Sequence, residues 1–517
     1  MEPLKTLRFD VLGNHGKARD TVHGPCASWE EPVKAQRLMP KNMLVLMSDE
    51  HNAKMLGCAG HPLAKTPNLD ALAARATRFT NAYTTCPICV PARASFATGR
   101  YINEIGYWDN SIAYDGRVPS WGHRLQKAGI RVESVGKLHY RFETDPVGFD
   151  KQHIPMHVTG GVGMVHLSIR KQFPEFTPPR RARKGIIEHA GPGESEYTQY
   201  DRRVADIAAQ WLRDVSGAKE PWTLFVSFVT PHYPLIAPKE FFDLYNVGDM
   251  PDAKFGPDSG FEAHPWLADL VAGSQMSREE QRTALAAYLG LISFMDAQVG
   301  RVLQALDEAG LRDSTRILYT SDHGENAGAR GLWGKSNQYE EAAAIPLMIA
   351  GPDVPAGKTC RTPATLVDAY PTILEGVGLS ADGDGVPGRS LFDLAREPDN
   401  VERVAFSEYH AAGSPSAAYM IRKGRWKYIH YVRFAPELFD LEADPEEAHN
   451  LAGDPKHADK LKELEGVLRG IVDPDDADRR ANEAQRKLIE SRGGPEAVYK
   501  DLVVKKMYTP VPTGLLP

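Results

Sequence analysis

Five cysteines in 517 residues are too few for a disulfide framework. No apolar run approaches the roughly 18 residues needed to span a bilayer, so no membrane partner is expected. Basic residues are not in excess: 61 Lys and Arg stand against 68 Asp and Glu, a net charge of −7. A general nucleic-acid binder needs a basic face, so nucleic acid is not an expected partner either. Any anionic ligand must be held by a few local cations. The N-terminal Met1-Glu2-Pro3-Leu4-Lys5 does not open a basic segment followed by an apolar one. No secretory leader is read there, and the expected compartment is the cytoplasm. There is no internal repeat. What remains is an ordinary globular composition, 42% apolar and 25% charged, in a chain long enough to bury a large core without staples.

Residues 1–41 lack periodicity and read as an N-terminal extension. Asn42 to Met47 is a continuous apolar run ending at Ser48-Asp49-Glu50-His51-Asn52, as in a strand buried on both faces. Leu69, Leu72, Ala73 and Ala76 recur at helical spacing and predict a helix over Pro67–Phe79, with Thr66 as its cap. Helices are predicted over Tyr197–Leu212 and Ser277–Ala309, and near Val367–Glu375. Strands are predicted over Trp222–Val229, Arg316–Thr320 and Pro346–Ala350. This alternation implies an α/β fold with helices on both faces of a mostly parallel sheet. In such folds the ligand site lies at the carboxyl ends of the strands, and polar clusters follow three of them, at Asp49, His232 and Asp322.

The pattern shifts after Leu379, so the main domain is placed at 42–379. The Gly/Asp/Pro-rich stretch Ser380–Arg389 reads as a boundary. A hairpin at Tyr419–Arg422 and Trp426–His430, turning at Lys423-Gly424, a strand at Glu437–Leu441 and a helix at Asp459–Val472 imply a small antiparallel α+β subdomain over 380–473. The charged tail, 474–517, is expected to embrace another part of the molecule or a second subunit at an oligomer interface.

The sharpest local signal is Cys86-Pro87-Ile88-Cys89-Val90-Pro91-Ala92-Arg93. A helix N-terminus and a guanidinium both stabilise negative charge on a nucleophile. Residue chemistry leaves three readings open: a C-x-x-C redox pair at Cys86 and Cys89, a modification site at Cys89, or buried inert thiols. Asp49 and Asp322, at strand-to-helix turns, read equally as caps or as metal ligands.

Cys89-Val90-Pro91-Ala92-Arg93, continued by Ala94-Ser95-Phe96-Ala97-Thr98-Gly99-Arg100, resembles the sulfatase signature C-x-P-x-R with its T-G-R extension, where cysteine is oxidised to formylglycine. The order of the other motifs is similar too. Ser48-Asp49 precedes it, and Gly129-Ile130-Arg131 with Gly136-Lys137-Leu138-His139 follows. Pro231-His232-Tyr233-Pro234, Ser321-Asp322-His323-Gly324 and Gly331-Leu332-Trp333-Gly334-Lys335 complete the series, with further similarity over 438–452. His323 beside Asp322, with Gly106–Asn110 and Arg425–Tyr428, makes the chain most similar to the branch of choline sulfatases and phosphonate monoester hydrolases. Three departures stand out. Glu50 replaces the Asp of most sulfatases and the Gln of this branch, Val132 replaces a Thr, and the tail is less aromatic than in choline sulfatases.

The resemblance implies an alkaline phosphatase-like fold and hydrolysis of aryl or small alkyl sulfate monoesters. The implied path runs through a metal-bound formylglycine hydrate at position 89 and a covalent sulfate hemiacetal. Phosphonate monoester or phosphodiester hydrolysis at the same centre is the alternative, as are a thiol-disulfide protein and an idle sulfate-binding relative. Implied metal ligands are Asp49, Cys89, Asp322 and His323, holding one divalent cation, calcium or manganese, with Glu50 either adding charge to the site or pointing away. Arg93 is to orient the hydrated aldehyde, Lys137 and His139 to lie beside it, and His139 to act as base. His232 and Lys335 are to contact sulfate and the leaving oxygen, and Asn110 to hydrogen-bond sulfate. His410 and His449, outside any motif, read as structural. Tyr107, Trp108, Tyr140 and Tyr233 form either an aromatic wall or packing. Implied partners are a small sulfate ester, the formylglycine-generating machinery, and a second or fourth copy of the chain.

Overall fold

An unbroken apolar run is stable only between two apolar layers, and Asn42–Asp49 (β1) is buried throughout beyond its first residue. Because side chains alternate across a strand, Met43, Val45 and Met47 join one layer with Ala92 and Phe96, while Leu44 and Leu46 join the other with Tyr200, Val204 and Val299. The computed structural model describes residues 41–170, 172–173, 175–176, 189–256, 259, 261–272, 276–411, 413–500, 509–512 and 514. Apart from Lys41, the expected N-terminal extension lies outside them. The described residues include no helix long and apolar enough to cross a membrane.

Eight strands form the central sheet. Numbered in chain order, they are β1, Ala76–Phe79 (β2), Arg131–Lys137 (β3), Lys151–Met156 (β4), Trp222–Pro231 (β5), Thr315–Ser321 (β6), Leu347–Ala350 (β7) and Lys358–Cys360 (β8). Their spatial order is β8-β2-β7-β6-β1-β5-β3-β4. β1 runs parallel to β5 and β6, β5 to β3, and β3 to β4; only β7 is antiparallel to its neighbours. The sheet is therefore mostly parallel, and β1, β3, β5 and β6 all end at one edge. Asp49, Lys137, His232 and Asp322 lie at those four ends.

Helix Pro67–Ala74 (α1) is shorter than expected. The chain turns at Arg75, and Ala76, Thr77 and Arg78 pair with Ala350, Ile349 and Met348, so the last third of the predicted helix is strand β2. Thr66 does not cap it. Its hydroxyl accepts from Gly57 N at 2.9 Å and donates to Asp70 Oδ1 at 3.0 Å. Cys89–Thr98 (α2) packs on the odd face of β1; Glu196–Asp214 (α3) and Arg278–Glu308 (α4) cover the other.

Ala405–Tyr409, Ala418–Lys423, Trp426–Tyr431 and Glu437–Asp440 form the separate antiparallel four-stranded sheet. Leu464 and Leu468 of helix Ala458–Ile471 (α5) pack on it. The described part of the tail packs against its own chain. Pro474–Glu490 forms a helix (α6) whose Gln485 donates to Asp109 Oδ2 at 2.8 Å and to His410 O at 2.7 Å.

Candidate active site

The site is built from strand ends and one helix start. Cys89 opens α2, with Sγ 3.1 Å from His323 Nε2 and 3.6 Å from Asp49 Oδ1. Arg93, one turn on, reaches back under it. Its Nε donates to Asp322 Oδ2 at 2.8 Å, its Nη2 to Asp49 Oδ2 at 2.9 Å, and its Nη1 to Lys137 O and Ser227 Oγ at 2.8 and 2.9 Å. One guanidinium thus joins the ends of β1, β3 and β6 to the middle of β5, a use of its planar fork that no ammonium could copy. Lys137 Nζ adds a 2.6 Å contact to Asp49 Oδ2. Close packing places Gly136 before Lys137: φ is +102°, and a Cβ there would lie 2.2 Å from Ser227 O.

Asp49, Cys89, Asp322 and His323 each present one donor atom, all within 4.8 Å of one another and all buried. His323 Nδ1 sits 3.0 Å from Gly324 O, which fixes its proton there and leaves Nε2 as a lone-pair donor facing Cys89. Two carboxylates and an imidazole suit a divalent cation. The donor chemistry fits the metal that the resemblance implies.

The other half of the site is cationic with one acid inside it. Glu50 Oε2 accepts from Lys335 Nζ at 2.6 Å and lies 3.2 Å from His232 Nε2, while Oε1 is buried with no hydrogen-bond partner among the described residues. Glu50 therefore does not point away. A second set of donors, from Asp49, Glu50 and His232, also lies within 4.8 Å, but Lys137 and Lys335 stand 2.6 Å from its two acids. His232 Nδ1 is 2.6 Å from Tyr233 O, leaving Nε2 toward the site, and Lys335 Nζ lies 5.0 Å over the Tyr233 ring. His139, at φ +60°, has Nε2 2.7 Å from Thr509 Oγ1; its Nδ1 has no hydrogen-bond partner among the described residues. Asn110 Oδ1 accepts from Val90 N at 3.1 Å, at the start of α2.

Burial sets the electrostatics. It would raise the Asp49 carboxyl, but Lys137 and Arg93 outweigh it and hold the group well below its ordinary value. Burial and the Asp49 charge push the Cys89 thiol up to about 12. The expected stabilisation of negative charge at this helix start is thus overridden, because the Arg93 guanidinium is bound to the two acids. Burial lowers the imidazoles of His139 and His232 far below their ordinary value, with Lys137 and Lys335 respectively adding to the effect. Burial raises Glu50, with Lys335 opposing.

The ten residues singled out from sequence thus gather at one edge of the sheet. The aromatic group does not. Tyr107 and Tyr140 pack on Tyr114, and Trp108 packs against His410; only the Tyr233 ring lies against Lys335 and His232. Cys86 and Cys89 are free and buried, at odds with an exchange-active thiol pair, which must be reachable. Sequence reasoning missed Ser227, Asp201 and Thr509. Asp201 of α3 accepts from Val229 N and Thr230 N at 2.9 and 2.8 Å and pins the end of β5 before His232. Ser227, a lone polar residue inside the apolar run of β5, was visible in principle.

Together the fold and the site define a hydrolase of sulfuric esters. The chain belongs to the sulfatase family: "Sulfatase" matches residues 41–379, and "N-sulphoglucosamine sulphohydrolase, C-terminal" matches 328–472. The choline-sulfatase of Rhizobium meliloti (strain 1021) is 33% identical over 437 residues, covering 80% of this chain and 83% of its own. An arylsulfatase of Clostridium perfringens (strain 13 / Type A) is 31% identical over 477 residues, covering 84% and 96%. The crystal structure of a phosphonate monoester hydrolase of Agrobacterium radiobacter superposes with a TM-score of 0.68 at 25% identity, covering 83% of this chain and 95% of its own.

Proposed function

We propose that this site hydrolyses aryl or small alkyl sulfate monoesters, with position 89 as the nucleophile after oxidation of its thiol to formylglycine. The observation that carries this reading is Cys89 Sγ beside His323 Nε2 and Asp49 Oδ1, above an arginine that ties Asp49 to Asp322. Asp49, Asp322, His323 and position 89 would hold the cation, manganese or calcium, which supplies positive charge and lowers the pKa of an oxygen ligand. The aldehyde at position 89, once water has added to it, would supply the hydroxyl nucleophile that a thiol lacks.

The remaining work falls to this chain's own side chains. Arg93 and Lys137 fix the orientation of Asp49 and Asp322. Lys335 and His232 face the transferring group; the Lys335 ammonium can supply a proton to the leaving oxygen, with His232 oriented beside it by Nδ1 on Tyr233 O. His139 offers Nδ1 as a base, oriented by Thr509 at Nε2. Asn110 holds the first turn of α2 and keeps position 89 in place.

The phosphonate monoester reading has its own support in His323 beside Asp322 and in the Agrobacterium radiobacter structure. Turnover of 4-nitrophenyl sulfate and 4-nitrophenyl phenylphosphonate separates the two. Sulfate turnover is expected to dominate, and phosphonate turnover faster by orders of magnitude would overturn the proposal. The mass of the peptide containing residue 89 is expected to be about 18 Da below that of the thiol form, the difference between –CH2SH and –CHO.

A further inference from the structure

Lys335 and His232, read above as contacts of the transferring group, both lie against one acid. Glu50 Oε2 lies 2.6 Å from Lys335 Nζ and 3.2 Å from His232 Nε2. The backbone holds it in that place. Glu50 N donates to Asp322 Oδ1 at 3.2 Å, its carbonyl accepts from Tyr288 at 2.7 Å, and its φ of +68° lies in a region that long side chains seldom adopt. Oε1 is fully buried and unpartnered among the described residues. An acid wedged between the ammonium and the imidazole of an oxyanion site opposes the ligand the site is built to hold.

We propose that Glu50 is a charge filter, which admits esters whose transferring group carries one negative charge and discriminates against those carrying two. The proposal rests on the reading of Lys335 and His232 given above. Sulfate monoesters and phosphonate monoesters are monoanions. A phosphate monoester is a dianion above its second pKa near 6. Lys335 attracts both, but the carboxylate ion-paired with it at 2.6 Å repels the second charge in addition, in a buried site where screening is weak. Glu50 also contests the donors directly, since an incoming oxygen must share Lys335 with Oε2. Product sulfate, a dianion, meets the same repulsion and is helped to leave.

The test compares 4-nitrophenyl sulfate, 4-nitrophenyl phenylphosphonate and 4-nitrophenyl phosphate, which share a leaving group, at pH 8 with metal-loaded wild type and Glu50→Gln. The kcat/KM for phosphate relative to each monoanion is expected to rise at least fivefold in the variant, at unchanged metal content. A smaller rise overturns the proposal, as does loss of metal, which would make Glu50 a ligand. Wild type that turns over the phosphonate and not the sulfate defeats the sulfatase reading alone, because the ratio of dianion to monoanion still decides this one. A second measurement needs no variant. Inhibition of the wild type by inorganic phosphate is expected to weaken at least fivefold, relative to inorganic sulfate, between pH 5.5 and 8, as phosphate gains its second charge. Parallel profiles overturn the filter.

Discussion

Arg93 Nε lies 2.8 Å from Asp322 Oδ2, with both side chains at 1% exposure or less. Asp49 is held by the same guanidinium at 2.9 Å. Removing the arginine leaves two acids in a dry site, with the Lys137 ammonium on Asp49 and the His323 ring 3.7–3.9 Å from both. Arg93→Ala in metal-depleted protein is therefore expected to lose about 3–5 kcal/mol, read as a lower urea midpoint at unchanged slope. Arg93→Lys should recover less than half of it, because an ammonium cannot fork between two carboxylates. A loss under about 1 kcal/mol would show that the acids are relieved by another route.

Lys335 and Glu50 form the complementary case. Lys335→Met strands a buried carboxyl and is expected to cost about 3–5 kcal/mol. The double variant with Glu50→Gln should regain at least half, giving a coupling energy well outside additivity. Additive single effects would mean that the 2.6 Å contact carries no energy.

Chelation is expected to abolish turnover, and readdition of Mn2+ or Ca2+ to restore it. Metal at a hundred times its dissociation constant should stabilise the fold by about 2.7 kcal/mol. Asp322→Asn should weaken titrated Mn2+ binding by tenfold or more. Equal affinity in the variant would remove Asp322 from the donor set.

His157 supplies a pH signature. Burial lowers its imidazole to about 4, and Nε2 lies 3.0 Å from Gln152 Oε1. Its folded pKa is below the unfolded 6.5, so its stabilisation is complete above pH 6.5 and is lost as pH falls toward 4. With the ring partly exposed, about 1–3 kcal/mol is at stake. His157→Gln should lose correspondingly less stability than wild type between pH 7 and 4.5. Identical pH slopes would refute this.

Thr509 holds His139 Nε2 at 2.7 Å, and its carbonyl accepts from Tyr197 at 2.6 Å. Thr509→Val is expected to lower kcat about tenfold with little change in KM, and Thr509→Ser to restore it. A change in KM alone would make the contact structural.

Much of the fold is legible where one period dominates. β1 is an uninterrupted apolar run from Met43 to Met47, β5 and β6 are mostly apolar, and α3 and α4 keep helical spacing. β3 is not legible, because Glu133 and Ser134 interrupt it; Glu133 is buried against Arg131, His153 and Trp211. β2 is invisible for a different reason: Ala76 and Phe79 fit a helix as well as a strand, and only β7 and β8 decide between them. The site residues stand out through the family motifs. Thr509 and Asp201 carry no motif, and their roles exist only because folding brings distant segments to one place.

Cys89 is 1% exposed, at the start of a helix whose every residue is buried. No second enzyme can reach such a thiol in the finished fold. The oxidation proposed for it therefore belongs to the chain before it closes, while it is still being made or threaded. On the proposed reading, a copy that folds unconverted has no later chance, and the active fraction of any preparation would record how conversion competed with folding at birth.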